Sequence, residues 1–248
     1  VHKGPPTIGE GGLRVKDLRV IAPDGVVVVD DISFEVRPGE VLAIAGVQGN
    51  GQTELAEAIM GLGARSTGSI SLNGVELIGR NVHQVLDAGV GFVPEDRNED
   101  GLVGAFSVAE NLILDRSDDP AFSRFGTILR GVLDTFAKER IAEFDIRTQG
   151  PGQAAGSLSG GNQQKVVIAR ELNRDLKLLL ASQPTRGVDV GSIEFIHKRI
   201  VATRDSGIPV IVVSTELDEV TALADRIAVM YRGRIVGIVP GNTPRDVL

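Results

Sequence analysis

The sequence predicts an α/β fold built on a mainly parallel sheet, and three observations carry that expectation. Short, continuously apolar runs recur along the chain: VLAIA (41–45), VGFVP (90–94), LKLLLA (176–181) and PVIVVS (209–214). Runs of that length suit strands buried on both faces. In the second half these runs alternate with helical patterns such as VGSIEFIHKRIVATRDSG, which ends at Gly207. Apolar strands alternating with helices need a parallel sheet covered on both sides. The 248 residues are ample for one large domain. With aromatics at 4%, Val, Ile, Leu and Ala must fill its core.

The elements follow in order. Residues 1–12, VHKGPPTIGEGG, are Gly/Pro-rich and are expected to be a flexible interdomain linker, so that the chain is expected to be a piece of a longer polypeptide. The folded domain is expected over 13–248. LRVKDLRVI and VVVVDDISFEV read as strands around the Pro23-Asp24-Gly25 turn. A turn at Pro38-Gly39-Glu40 leads into 41–45. The Gly-rich turn from Gly46 to Gly51 opens a helix near Thr53, with Leu55, Ala58, Ile59 and Leu62 on one face. SISLNG (69–74) is a strand and turn. Residues 95–175 read as mostly helical, with a small core of their own around Phe106, Phe122, Phe125, Phe136 and Phe144. LSGGNQQKVVIARELN is a turn running into a helix, and RIAVMY and RIVGIV flank a hairpin turn at Arg232-Gly233. His83 and His197 lie in charged helical contexts and are expected at the surface. Glu216, Asp218 and Glu219 suit the positive end of a helix.

Composition narrows the function. A net charge of -7 and a pI near 5.1 argue against nucleic acid held by general positive charge. The absence of cysteine removes disulfide scaffolds, thiol nucleophiles and Cys-based zinc. No apolar run approaches the roughly 20 residues that span a bilayer, and no signal peptide is recognisable.

Two motifs carry the chemistry. Gly46-Val47-Gln48-Gly49-Asn50-Gly51-Gln52-Thr53 follows a buried strand and opens a helix. It is a phosphate-loop pattern, G-x-x-x-x-G-K-[ST], with Gln52 in the lysine position. Such a loop turns backbone N–H groups inward around phosphate, and the helix N-terminus adds partial positive charge. Gly46, Gly49, Asn50, Gly51, Gln52 and Thr53 are the candidate nucleotide-binding residues, and the Thr53 hydroxyl is a weak candidate ligand for Mg²⁺. The second motif is Leu158-Ser159-Gly160-Gly161-Asn162-Gln163-Gln164-Lys165. A Ser and two glycines at a helix start again make an anion-binding terminus.

LSGGNQQK resembles the signature sequence of the ATP-binding cassette (ABC) ATPases, in the variant found in sugar and nucleoside importers. The resemblance covers roughly residues 13–240. It implies a P-loop NTPase fold with a mainly parallel core sheet, an antiparallel β subdomain and an α-helical subdomain over about 95–175. It also implies ATP and Mg²⁺ as cofactors. In the family, VGFVPEDRNEDGL (90–102) is the Q-loop region, with Glu95 in the glutamine position. LKLLLASQPTRGVDVGS (176–192) is the catalytic-carboxylate and D-loop segment, with Ser182-Gln183 where Asp-Glu is usual and Asp189 as the D-loop aspartate. VIVVSTELDEV (210–220) is the switch segment, with Thr215 in the histidine position. The aromatic expected to stack on adenine near residues 20–25 is missing. Glu95 joins the candidate nucleotide-binding residues; it is expected to add an uncompensated negative charge near phosphate or, alternatively, to serve as a ligand for Mg²⁺.

Gln52, Ser182, Gln183 and Thr215 thus have no lysine, no carboxylate and no histidine to offer. Losing a general base alone costs ~10²–10⁴ in rate. The resemblance implies cassettes that pair head to tail, each ATP lying between one phosphate loop and the other signature. The chain is therefore expected to be a degenerate second cassette, joined by its linker to an upstream cassette whose ATP site its signature (Leu158, Ser159, Gly160, Gly161, Asn162, Gln163) completes. The isolated domain is expected to hydrolyse ATP very weakly or not at all. The implied transporter imports nucleosides or, as the second choice, simple sugars, in the class paired with basic-membrane-protein-type binders. Its partners are transmembrane permease subunits and, indirectly, an extracytoplasmic solute-binding protein. It would sit peripherally on the cytoplasmic face of the membrane, with Arg97, Phe106 and Val108 as candidate permease contacts. A stand-alone active ATPase is the alternative that Gln52, Ser182 and Gln183 oppose. A soluble non-transport ABC protein lacks support, because the chain has no long coiled-coil insertion and no zinc module.

Overall fold

The computed structural model describes residues 1–63 and 65–248. In chain order it has strands β1 (Leu13–Ile21), β2 (Val27–Val36) and β3 (Val41–Ala45), helix α1 (Gln52–Ile59), strands β4 (Arg65–Leu72) and β5 (Val75–Glu76), helix α2 (Val82–Asp87) and strand β6 (Val90–Val93). A π-helical turn at Arg97–Gly101 precedes helix α3 (Val108–Leu112), the short strands β7 (Ser123–Arg124) and β8 (Thr127–Ile128), helix α4 (Arg130–Glu143) and helix α5 (Gly160–Leu172). Strand β9 (Leu178–Ser182), helix α6 (Val190–Asp205), strand β10 (Val210–Ser214), helix α7 (Leu217–Leu223) and strands β11 (Arg226–Tyr231) and β12 (Arg234–Pro240) follow. These form two compact units, Val1–Phe92 with Asp175–Pro184 and His197–Leu248, and Val93–Arg174 with Thr185–Ile196. Among the described residues no helix is long and apolar enough to cross a membrane.

In the first unit a six-stranded sheet runs β12-β11-β3-β10-β9-β6. β3 lies parallel to β10 and β11, and β10 parallel to β9. β3, β9 and β10 are the continuous apolar runs, and every residue in them is buried. The β11–β12 hairpin turns through Arg232 and Gly233, at φ of 49° and 76°, a left-handed pair whose twist matches that of the flanking strands. A separate antiparallel sheet has the order β2-β1-β4-β5. Its buried residues pack with Leu55 and Ile59 of α1 and with Leu178 and Ile211 of the larger sheet in one apolar core. Each such side chain contributes about 1.5–3 kcal/mol by leaving water.

Three expectations need correction in this unit. α1 stops at Ile59, because Gly61 takes a φ of 72°, and Leu62 is 38% exposed. His197 is not a surface residue. It is buried on α6, with Nε2 3.0 Å from the carboxylate of Glu219, itself buried on α7. Glu219 therefore serves a tertiary pair as well as a helix start. Residues 1–12, expected to be flexible, carry no helix or strand but are tied down. Lys3 Nζ donates to the carbonyls of Leu223 (2.9 Å) and Ala224 (2.6 Å) and to the Asp225 carboxylate (2.9 Å). Arg204, only 1% exposed, donates to the Gly4 carbonyl (3.1 Å) and to Asp225 (2.9 Å). A cation on the last carbonyls of α7 suits the negative end of a helix.

The second unit is less helical than its sequence reads. α3, α4 and α5 are present, but β7 and β8 form a hairpin turning at Phe125 and Gly126, both at positive φ. The one helical turn in residues 144–159 is 3-10, at Ala155–Ser157, beside a β-bridge from Ala154 to Ser107, since Gly150, Pro151 and Gly152 interrupt any longer helix there. Phe122 and Phe144 are buried, with Phe122 edge-on to Phe136 at 4.9 Å. Phe106 and Phe125 are exposed, Phe125 to 95%. α3 starts with a capping box between Ser107 and Glu110. Asn111, fully buried, accepts from the Val103 N–H (2.8 Å) and donates to the carbonyls of Val103 (3.0 Å), Phe106 (3.3 Å) and Ser107 (3.0 Å). It thereby folds the 103–107 loop around itself.

Candidate functional site

The first unit places the phosphate loop at the C-terminal edge of the parallel sheet, where ligands of open α/β sheets bind. In register, Ser214 lies opposite Ala45, and Ser182 opposite Val213. Gly46, Ser182-Gln183 and Thr215 therefore line the same edge. Gly46 and Gly51 are sterically required. A Cβ would come within 2.6 Å of the Met230 carbonyl at Gly46 and within 2.5 Å of the Val28 carbonyl at Gly51. Gly51, at φ 102°, forms the N-cap of α1 without a side-chain hydrogen bond, and Thr53 sits in the first turn of that helix.

The loop is bound up with itself and with the β11–β12 turn. Asn50 donates from its amide to the Val47 carbonyl (2.8 Å) and accepts the N–H of Arg232 on its side chain (2.9 Å) and that of Gly233 on its carbonyl (2.9 Å). The sequence placed this turn but not its hold on the loop; its tip also carries Tyr231, 52% exposed, under the Arg232 guanidinium. Gln52, 5% exposed, donates from Nε2 to the Val47 carbonyl (3.0 Å) and accepts the Asn50 N–H on Oε1 (3.1 Å). One of the N–H groups in the stretch expected to face phosphate is thus occupied by a side chain. Gln183 adopts a φ of 48°, donates its N–H to the Val213 carbonyl (2.8 Å) and accepts the Thr215 N–H on its side chain (3.3 Å). Ser182 and Ser214 are buried. The functional groups that these substitutions bring to the edge are hydroxyls and carboxamides. Among the described residues no group of three or more His, Asp or Glu could hold a metal ion.

The second unit holds the signature segment. Ser159 is the N-cap of α5, accepting the Asn162 N–H (3.3 Å) and the Asn162 side-chain amide (2.9 Å), and it is exposed. Leu158 is buried, and Gln163 turns back to the carbonyls of Ala155 (3.2 Å) and Gly156 (3.4 Å). Asp189 accepts the N–H (3.0 Å) and hydroxyl (2.8 Å) of Ser192 at the start of α6. Those bonds, the N–H first, hold its carboxyl below the usual carboxylate range. Gly160 and Gly161 face this segment directly. A Cβ at Gly161 would lie 2.3 Å from the Asp189 carboxylate and from the Ser192 hydroxyl.

Two expectations about charge and contact change here. Glu95 is not uncompensated, since Arg186 Nη1 lies 2.8 Å from its carboxylate. Of the three candidate contact residues, Val108 is buried in the core and the Arg97 guanidinium is committed inside the unit, donating to the carbonyls of Arg186 (2.8 Å) and Gly187 (3.2 Å). Burial lowers the pKa of that guanidinium. Phe106 alone of the three is exposed, at 44%. Neither partnership had a signal in the sequence, because both pair residues about 90 positions apart.

A glycine-rich loop at the sheet edge, a Ser-Gly-Gly helix start and this strand order together define an ATP-binding cassette. A family model described as ABC transporter matches residues 29–186, and the chain belongs to that family. It is 46% identical over 231 residues to the nucleoside import ATP-binding protein NupA of Lactococcus lactis, covering 93% of this chain and 46% of that protein. It is 42% identical over 246 residues to the guanosine import ATP-binding protein NupO of Bacillus subtilis, covering 99% and 47%. The chain spans about half the length of these relatives. The dimeric structure of a bacterial ABC transporter cassette superposes with a TM-score of 0.77 over 94% of this chain and 100% of that one, at 20% identity. The fold is the P-loop ATPase fold of ABC cassettes.

Proposed function

We propose that this chain is the nucleotide-binding domain of an ABC importer for nucleosides, or secondarily simple sugars, in which its own ATP site is degenerate and its signature completes the ATP site of an upstream cassette in the same polypeptide. The observation that carries this reading is an asymmetry. Ser159-Gly160-Gly161 stand intact at the start of a 13-residue helix. Meanwhile Gln52, Ser182, Gln183 and Thr215 replace the cation, both carboxylates and the histidine. The names of NupA and NupO support the solute class, and their doubled length leaves room for a second cassette. Residues 1–12 would lead from that cassette, and residues 13–248 would be the second. The partners would be permease subunits and, through them, a solute-binding protein, with the domain lying on the cytoplasmic face of the membrane.

At the chain's own loop, backbone N–H groups and the N-terminus of α1 still suit an anion. The donor set does not fit Mg²⁺ held for hydrolysis. Thr53 brings one hydroxyl, Ser182 another, and Gln183 a neutral amide already bonded to Thr215. No hydrolytic step runs through this loop. ATP bound here would be held weakly and statically. At the signature, Ser159 and the N-terminus of α5 would present donors and partial positive charge to a phosphate carried by the facing cassette.

The test is a pair of variants in the full-length subunit assembled with its permease. Ser159→Arg should abolish stimulated ATP hydrolysis and transport, and Gln52→Lys alone should create no second active site. Normal hydrolysis in Ser159→Arg would overturn the proposal. Gly160→Asp is the poorer probe, because its side chain also collides with the Gly187 carbonyl of its own chain.

A further inference from the structure

Arg97 joins three segments of the second unit. Asp96 caps the 97–101 turn, accepting the N–H groups of Asn98 (2.9 Å) and Glu99 (3.3 Å), and so fixes where the Arg97 side chain leaves the backbone. Nη1 reaches the Arg186 carbonyl at 2.8 Å, Nη2 the Gly187 carbonyl at 3.2 Å, and Nε the Gln163 side chain at 3.3 Å. Glu95, two residues earlier, grips the Arg186 side chain. The guanidinium passes directly against Gly160, where a Cβ would lie 2.5 Å from Nη2 and 2.5 Å from the Gly187 carbonyl. The second signature glycine, Gly161, is pressed in the same way against Asp189 and Ser192.

We propose that Arg97 is a positioning residue that locks the signature turn to the Arg186–Asp189 segment, so that both are presented as one rigid surface to a facing cassette. The inference rests on reading the signature as half of a partner's ATP site. Two backbone carbonyls and one amide oxygen are neutral acceptors at fixed directions. A planar fork satisfies all of them together, and a lysine ammonium does not. The absence of a side chain at Gly160 is what lets the fork through. The glycine thus serves its own chain as well as a phosphate.

ATP hydrolysis by the full-length subunit with its permease, measured over a range of ATP concentrations, tests this with Arg97→Gln, Arg97→Lys and Ser159→Arg. Arg97→Gln should lower kcat by up to about a hundredfold, the size of effect that small misplacement of reacting groups produces, with KM little changed. Arg97→Lys should recover only part of the loss. In this chain alone, amide hydrogen exchange should rise at residues 159–163 and 186–189 in Arg97→Gln, with α4 and the melting transition unchanged. Unaltered kcat in Arg97→Gln, alongside an inactive Ser159→Arg, would sink the role of Arg97 and leave the half-site reading standing. An active Ser159→Arg would remove the half-site reading itself. Full activity in Arg97→Lys, or loss of the melting transition in Arg97→Gln, would also overturn the proposal, by showing that charge alone or the fold as a whole is what Arg97 serves.

Discussion

Gln52 spends both ends of its amide on its own loop, on the Val47 carbonyl and the Asn50 N–H. Lysine at that position would add a charge-assisted contact worth about 1.5–3 kcal/mol, which is roughly ten- to a hundredfold in affinity. Gln52→Lys should therefore tighten ATP binding by about that factor in a titration of this chain, while phosphate release stays at background because Ser182 and Gln183 remain. Turnover on the order of 1 s⁻¹ would contradict the expectation. Gln52→Ala should tighten inorganic pyrophosphate binding relative to the unaltered chain, since it releases the Asn50 N–H; weaker binding would show that the bridge preforms the loop. A second residue sets a pH dependence. Glu40 is buried at the start of β3. Burial would raise its pKa, but hydrogen bonds from Arg37 and Arg226 outweigh that and lower it from the ordinary 4.5 to about 2. The stability this contributes is complete above pH 4.5 and is lost as pH falls toward 2, a few kcal/mol at most by linkage. Urea melts at pH 7 and at pH 3 should show the loss, and Glu40→Gln should shrink the difference between them.

At the scale of elements, α5 and α6 meet through glycines. Gly161→Ala sets a methyl 2.3 Å from the side chains of Asp189 and Ser192, and overpacking of this kind costs about 1–3 kcal/mol. A drop of that size should appear in a urea melt of this chain, with no nucleotide present. An unchanged midpoint would mean that Asp189 and Ser192 move aside freely. Asn111 does for α3 what the glycines do for α5, fixing a loop by contact. Asn111→Ala leaves the Val103 N–H without its partner and takes the side-chain donor from three carbonyls that keep their backbone bonds. It should destabilise the unit by about 1–3 kcal/mol and raise hydrogen exchange across 103–107, the loop that presents Phe106. The sequence here reads only as part of a mostly helical stretch over 95–175. It gave no sign that a mid-helix Asn would organise the preceding loop, because an Asn at that position reads equally well as a solvated surface residue.

For the whole molecule, Asp225 ties distant parts together. It accepts Lys3, Arg204 and the Val41 N–H, so the N-terminal segment, α6 and the first residue of β3 share one carboxylate. Arg204→Met removes a buried charge partner and should cost about 3–5 kcal/mol. Lys3→Ala should cost far less but should speed hydrogen exchange at Gly9, whose N–H otherwise rests on the Pro38 carbonyl. Unchanged exchange there would mean that Gly9 is held independently of Lys3.

The sequence by itself determined the strand–helix alternation, the glycine-rich loop after β3, the Ser-Gly-Gly start of α5 and the hairpin at Arg232-Gly233. All of these are local. Apolar runs, glycines at left-handed positions and helix caps act within a few residues, so they survive translation into a string. Only the tertiary structure decided that Glu95 has Arg186, that Arg97 faces carbonyls, that His197 meets Glu219 and that Lys3 is anchored. A charged or polar side chain can be solvated or paired at similar net free energy. Which outcome holds depends on what the fold brings within 3–4 Å of it, and no pattern along the chain records that distance.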